Sequence, residues 1–491
     1  MKSREYTPVE AVEKRRRTGR DVSVSKVWKS LYIAVIGGLA GWQILFPNKR
    51  FIETIVGLIV VGIVWNFSAL QALWLILVAY PFQFGISIGN STFIFTIIIF
   101  IIYMVRVSTG HYRFRGDKLL SLPIAFLVAA YIISFYNQVN EPGLMRFARL
   151  HTMNFFAVLL LYYMLVNAID DEAKLTKTVG FVMVSAALIT FFAFLELLFP
   201  GRVILPNLIF STHKITLVMK EMRVEGAFHD YELLAEFFAV NVPIIILMVV
   251  RSSRLLTRVM YSVLLVSVLF MQFSTITRGA FVSLMIGIVY LAWTCRRDLN
   301  IVLFTGLAAV FAGMLVLIDA IMARYTVSGS LFDRLLQTTI KRGFIPDSRV
   351  ISWTGGVERW LRHPFIGNGP GWDFASKLEK GLWPHNSYLY YLDTIGAFGF
   401  LAFLLVLYRL VTASGTEGRR SLAGAPFPRA LMKVLHVSLI ILIIDMVKID
   451  YQRNDIYIYF VWILFALIAV TRNVIDRSDA VETARSSDSK G

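Results

Sequence analysis

Apolar runs of about 16 to 22 residues recur along the chain, separated by short polar or basic joints, and that is the length a helix needs to cross about 30 Å of hydrocarbon. None of them alternates as a lipid-facing β-strand would. The pattern predicts spans over 27–46, 51–67, 69–88, 92–106, 119–136, 151–168, 176–198, 233–250, 257–273, 279–294, 300–319, 386–408, 434–449 and 456–471. Pro81 and several glycines interrupt the third. The expected fold is all-α: a polytopic transmembrane helix bundle of about 12–14 spans. A basic tail occupies 1–25, and the main bundle runs over 26–319 with a loop at 199–232. A large loop with short amphipathic helices covers 320–385, helices return over 386–471, and 472–491 is a polar tail expected to be disordered.

Composition sharpens this picture. Of 491 residues, 57% are hydrophobic and 16% charged, and the mean hydropathy is +0.66. A water-soluble domain cannot hide that much apolar surface. The formal charge of +17 invites a nucleic-acid reading, but the cations are scattered over joints such as HYRFRGDK, RSSRLLTR and CRRD, with no basic domain to hold a duplex. A positive-inside bias with anionic lipid contacts accounts for the excess. That bias puts both termini inside and the loops 199–232 and 320–385 outside. Cys295 is the single cysteine, which excludes an internal disulfide and a cysteine-rich metal site. The charged N-terminus and a first apolar run of spanning length predict no cleaved leader.

Three residues far apart in sequence then fall on the outer face. Arg223 lies in MRVEGAFHDYELLAEF, Arg278 opens a span in FSTITRGAF, and His385 is placed in the first turn of the span that follows the large loop. Arginine suits bidentate contact with phosphate oxygens. Histidine at a helix N-terminus is held neutral by the dipole and can take a proton from a hydroxyl. Two cations and a base make a plausible site for group transfer from a lipid-linked pyrophosphate. Each has a plainer reading: Arg278 snorkelling to headgroups, Arg223 paired with Glu221 or Glu225, His385 as a capping or interfacial residue. Arg349 begins an expected amphipathic helix, Arg349 to Leu361, with Val350, Trp353, Val357, Trp360 and Leu361 on one side. Gly367-Asn368-Gly369-Pro370-Gly371 lacks the spacing of a nucleotide loop and reads as tight turns against the membrane or a sugar. The acids Glu196, Glu236, Asp319, Asp393 and Asp445 lie in or near spans, where a charge is expensive. Most sit near span ends, where solvation or pairing accounts for them. Glu236 is the deepest, with an arginine its expected partner. The acids and histidines form no ligand-spaced metal cluster, His229-Asp230 being a weak candidate.

HPFIGNGPGW followed by PHNSYLYYLDTIGAFGF resembles the hallmark of the O-antigen ligase and O-antigen polymerase superfamily. The match rests on His363 to Gly371, then His385-Asn386 with Leu389, and Gly396 with Gly399. ITRGAF resembles the family's Ser-Arg-Gly element with Thr277 in place of serine. RVEGAFHDYELLAEF resembles its Arg-x-x-Gly-x-Phe element, with His229-Asp230-Tyr231-Glu232 departing from the usual Asn-Pro-Asn. The resemblance covers roughly 220–405 by motif. It implies a metal-independent, inverting glycosyltransferase of a bacterial inner membrane, without cofactor, acting on the periplasmic face. Its donor is a glycan on undecaprenyl pyrophosphate; its acceptor is a lipid A core or another lipid-linked glycan. By the same resemblance Arg223 and Arg278 hold the pyrophosphate, His385 activates the acceptor hydroxyl, and Arg349 and Asn386 contact substrate. Membrane lipids and a chain-length regulator are the other implied partners. The rivals are a transporter or flippase of lipid-linked sugars, which predicts midplane charges and broken helices, and a non-catalytic scaffold of an envelope complex.

Overall fold

The structure is a computed structural model, and it describes Gly62 and residues 68–82, 85–86, 89–110, 114–138, 142–198, 224–275, 277–294, 313, 316, 320, 347–370, 384–415 and 425–488. The predicted span 27–46, all of 51–67 but Gly62 and most of 300–319, together with Arg223 and Asp319, lie outside the described residues. Contacts divide the chain into units of 1–72 and 73–491. In the first, Ser68 caps a helix reciprocally: the Gln71 N–H donates to its hydroxyl and its own N–H donates to the Gln71 side chain.

That helix, α1, is Ala69–Ala79. It stops short of the predicted 69–88, because the residue before Pro81 is disfavoured in helical geometry. A two-residue antiparallel ladder, Gly85–Ile86 with Gly89–Asn90, follows. Next come α2 (Ser91–Ser108), α3 (Ser121–Ser134), α4 (Pro142–Ala168), α5 (Glu172–Leu198), α6 (Tyr231–Arg251), α7 (Leu255–Ser274) and α8 (Arg278–Thr294). After these lie α9 (Asp347–Trp360), α10 (Ser387–Gly415), α11 (Phe427–Asp445) and α12 (Asp455–Asp488). Among the described residues, α5, α6, α7, α10, α11 and α12 are long and apolar enough to cross a membrane, and five further apolar helices are shorter. The chain is an all-helical bundle of the membrane-spanning kind. Its centre is α12, 89% of whose apolar window is buried, against 28% for α7 at the rim. Tyr457, Tyr459, Trp462 and Phe465 of α12 are enclosed, while Leu255, Leu256, Val263, Val289 and Trp293 point outward, as lipid contact requires. Helix α12 also continues through 472–488, where the sequence predicts a disordered tail. Arg429 holds Asp479, and Arg477 donates to the Asp170 carbonyl.

One break organises the loop that follows α9. Inside α10, Gly396 leaves helical geometry (φ 66°, ψ −173°). The turn 363–369 packs its own backbone into the gap. The N–H groups of Asn368 and Gly369 donate to the Asp393 and Thr394 carbonyls at 2.8 Å each. In return, the N–H groups of Ala397 and Phe398 donate to the Pro364 and Phe365 carbonyls at 2.8 and 3.3 Å. Peptide groups that the break would orphan in an apolar setting are thereby satisfied. Two glycines allow the approach. A Cβ on Gly367 would lie 2.3 Å from the Thr394 oxygen, and one on Gly396 2.3 Å from the Phe365 oxygen. The glycine turn thus packs against a helix of the same chain. Asp393, expected to be solvated or paired, is paired: Arg359 Nε donates to one oxygen at 3.0 Å and Asn368 Nδ2 to the other at 2.8 Å.

Arg359 belongs to α9. Ser352, Gly356 and Arg359 are its inward positions. On the apolar side predicted to lie against the bundle or the membrane, Trp353 and Trp360 are half-buried and Val350, Val357 and Leu361 are exposed, a side open to lipid.

Gly396→Ala and Gly367→Ala each combine a positive φ with a backbone clash, so each should lower the melting temperature by the equivalent of about 2 kcal/mol or more. Gly180→Ala, in the open interior of α5 with nothing within 4 Å, should be neutral or stabilising by up to about 1 kcal/mol. Thermal unfolding of the detergent-solubilised variants checks both.

Candidate functional site

Four segments distant in sequence meet at one end of the bundle, around Glu232 in the first turn of α6. Its Oε1 lies 3.0 Å from Arg349 Nη2 of α9. Its Oε2 lies 3.2 Å from Arg453 Nη2 and 3.6 Å from His385 Nδ1. Arg453, in the turn Tyr451–Arg453 between α11 and α12, also pairs with Asp230 Oδ2 at 2.6 Å and donates from Nη1 to His385 Nδ1 at 2.7 Å. Asp230 is the N-cap of α6, accepting from the N–H groups of Glu232 and Leu233.

The local backbone explains how these groups converge. His229 and His385 are the non-glycine residues with positive φ (53° and 46°) among the described ones, and such geometry costs on the order of 1 kcal/mol or more. His385 does not sit in the first turn of its helix. It precedes the N-cap, Asn386, whose side-chain oxygen accepts from the Leu389 N–H at 3.0 Å. Asn386 is buried and committed to that cap. The helix start is anchored further by Ser387, whose N–H donates to the Met446 and Ile449 carbonyls and whose hydroxyl donates to Ile449 at 2.7 Å. The left-handed turn at His385 therefore swings the imidazole off the helix axis towards Arg453 and Glu232.

Arg278 heads α8, half-buried. It belongs to the same end of the bundle: the preceding Thr277 hydroxyl donates to the Tyr231 carbonyl, next to Glu232, at 3.3 Å. Lys448 lies across the adjacent Gly279, where a Cβ would meet the lysine chain at 2.4 Å. Of the predicted residues, then, the structure brings His385 and Arg349 together through Glu232, sets Arg278 at the same end, and ties Asn386 into a cap. Arg223 lies outside the described residues. His229-Asp230 is taken up differently from a metal site, with Asp230 given to the cap and to Arg453. Among the described residues no three His, Cys, Asp or Glu side chains converge as metal ligands.

Sequence reasoning missed Glu232 and Arg453. The available signals were the acid in the first turn of a span, within HDYE, and an arginine between two aspartates in the six-residue joint DYQRND.

The tautomer of His385 follows from its neighbours. Arginine carries no acceptor, so against Arg453 the Nδ1 atom accepts and the ring proton sits on Nε2. Turned to Glu232, Nδ1 would carry the proton and Nε2 would present a lone pair. The site holds partners for both forms.

Upstream, Glu196 at the end of α5 accepts from the backbone N–H groups of Glu225 and Gly226. Burial, then the neighbouring Glu196 and Asp230 carboxylates, push the half-buried Glu225 carboxyl up to about 7. No family model and no curated protein matches the chain.

Because the folded protein holds Glu225 protonated to higher pH than the unfolded chain does, its ionisation opposes folding. That cost is absent below the unfolded value near 4.5 and complete above about 7. Glu225→Gln should raise the melting temperature at about pH 8 and leave it unchanged at about pH 4.5, read by differential scanning fluorimetry across that range.

Proposed function

We propose that the chain is a membrane glycosyltransferase of the O-antigen ligase or polymerase type. It transfers a glycan from undecaprenyl pyrophosphate to an acceptor hydroxyl at the outer, periplasmic face of a bacterial inner membrane. The observation that carries this reading is the convergence of His385 with Glu232, Arg349 and Arg453 at the end of the bundle that the lysine and arginine bias places outside. The motif resemblance supplies the substrate class.

In this reading His385 Nε2 removes the acceptor hydroxyl proton as the oxygen attacks the anomeric carbon. The bond from that carbon to the pyrophosphate breaks with inversion, and the lipid pyrophosphate leaves with the electron pair. For this step His385 turns Nδ1 from Arg453 to Glu232, so that Nδ1 carries the proton and Nε2 is a free base, and Glu232 then faces the imidazolium. Arg278, at the positive end of α8, and Arg223 hold the pyrophosphate. Arg349 orients Glu232 and reaches phosphate or sugar with its remaining donors. No step needs a metal ion. Polymerase and ligase differ only in the acceptor.

A transporter reading draws on two features, the broken helix α10 and the buried acid Glu236. The break, however, is filled by the chain's own turn, where a transport site would leave it lining a cavity.

In nanodiscs with a defined undecaprenyl-pyrophosphate oligosaccharide and chelator, wild type should lengthen the lipid-linked glycan or, given lipid A core, transfer it. His385→Ala should slow turnover by about 10²–10⁴-fold, and Glu232→Gln should lower kcat more than it changes KM. Movement of the donor across a vesicle membrane with no new glycosidic bond would defeat the transferase reading and promote the transporter.

A further inference from the structure

One turn below Glu232, on the same face of α6, Glu236 is 1% exposed. It was expected to pair with an arginine, yet among the described residues neither of its oxygens has a hydrogen-bond partner. The charged groups acting on it are Asp445 at the end of α11, Lys448 just beyond it, Arg453, and Glu232 above. The buried Tyr457 hydroxyl of α12 faces it and likewise lacks a bond of ordinary geometry. Asp445 is held at one oxygen: Ser283 of α8 donates to its Oδ1 at 2.5 Å and Lys448 forms an ion pair with the same atom, while Oδ2 has no hydrogen-bond partner among the described residues.

Pairing then decides the state of Glu236. Arg349 and Arg453 are engaged by Asp230 and Glu232, with the buried Asp450 also acting on Arg453. Lys448 is engaged by Asp445. Among the described residues Glu236 forms no ion pair, in a place where an isolated carboxylate is far too costly to persist. The smallest group that neutralises it is a proton.

We propose that Glu236 is a proton-binding site beneath the His385 site, carrying a carboxylic acid in the resting protein. Its neutrality leaves Arg453 committed upward, to Asp230, Glu232 and His385. Ionised, it would compete for the same guanidinium, whose buried Nε lacks a hydrogen bond, and would draw it off the imidazole. Glu236 is thus a positioning residue for Arg453, whatever chemistry His385 performs, and this inference does not rest on the transferase reading.

Infrared difference spectroscopy at neutral pH tests it. The wild-type-minus-Glu236→Gln spectrum should show loss of a protonated-carboxyl C=O band, with the melting temperature unchanged because the amide matches the neutral acid in shape. Lys448→Met removes the cation that Asp445 needs, so Asp445 should protonate and the same band should gain a second contribution of about equal size. Asp445→Asn should instead free Lys448 for Glu236 and abolish the band. Loss of a carboxylate band in place of an acid band in Glu236→Gln would show Glu236 ionised and overturn the proposal. A melting temperature that rises with Na+ over choline in wild type, but not in Glu236→Gln, would assign the missing charge to a metal cation and overturn it equally.

Discussion

The exchange of backbone hydrogen bonds between the turn 363–369 and the break at Gly396 is the constraint on which the rest of the site end depends. A helix interrupted within an apolar layer must find partners for its freed peptide groups, each worth several kcal/mol if left bare. Here the partners come from the same chain, and the two glycines that permit the approach leave no room for a side chain. Once the turn is seated, Asn368 and Arg359 close on Asp393. That fixes the rotation and height of α9, so that Arg349 reaches Glu232 across from His385. The site is assembled from the break outward.

Around that scaffold the charges fall into two layers. The upper holds two arginines with Asp230 and Glu232, an imidazole among them, and the buried Asp450 acting on Arg453. The lower is a lysine and two acids, one of them without a partner. Arg453 stands between the layers, and its position answers to both. Electrostatics in so apolar a setting is weakly screened, so a change of one proton in the lower layer reaches the imidazole above.

The sequence shows some of this clearly and some of it not at all. Apolar run length foretold the helices: α2, α3 and α5 to α8 lie close to their predicted bounds, while α4, α10, α11 and α12 overlap theirs with longer or shifted ends. Gly367 and Gly369 read as tight turns against the membrane or a sugar, whereas they turn against the broken helix of their own chain. Mutual packing of two backbones leaves no mark except glycine itself. On α9 hydrophobic periodicity marks the apolar side and says nothing of Arg359, whose partner Asp393 lies 34 residues further on. His385 was found through its motif, but its left-handed backbone was not foreseeable. Glu232 and Arg453 were passed over because 221 residues separate partners that only the tertiary fold brings together.

The filled break also has a consequence for biosynthesis. The turn 363–369 leaves the ribosome before the helix 387–415 that it completes. Its carbonyls and N–H groups therefore stay bonded to water until that helix has formed. The helix, in turn, forms with a gap in its own ladder. Neither segment reaches its final state alone, so closing this end of the molecule is a dehydration event in which a loop and a broken helix exchange water for each other.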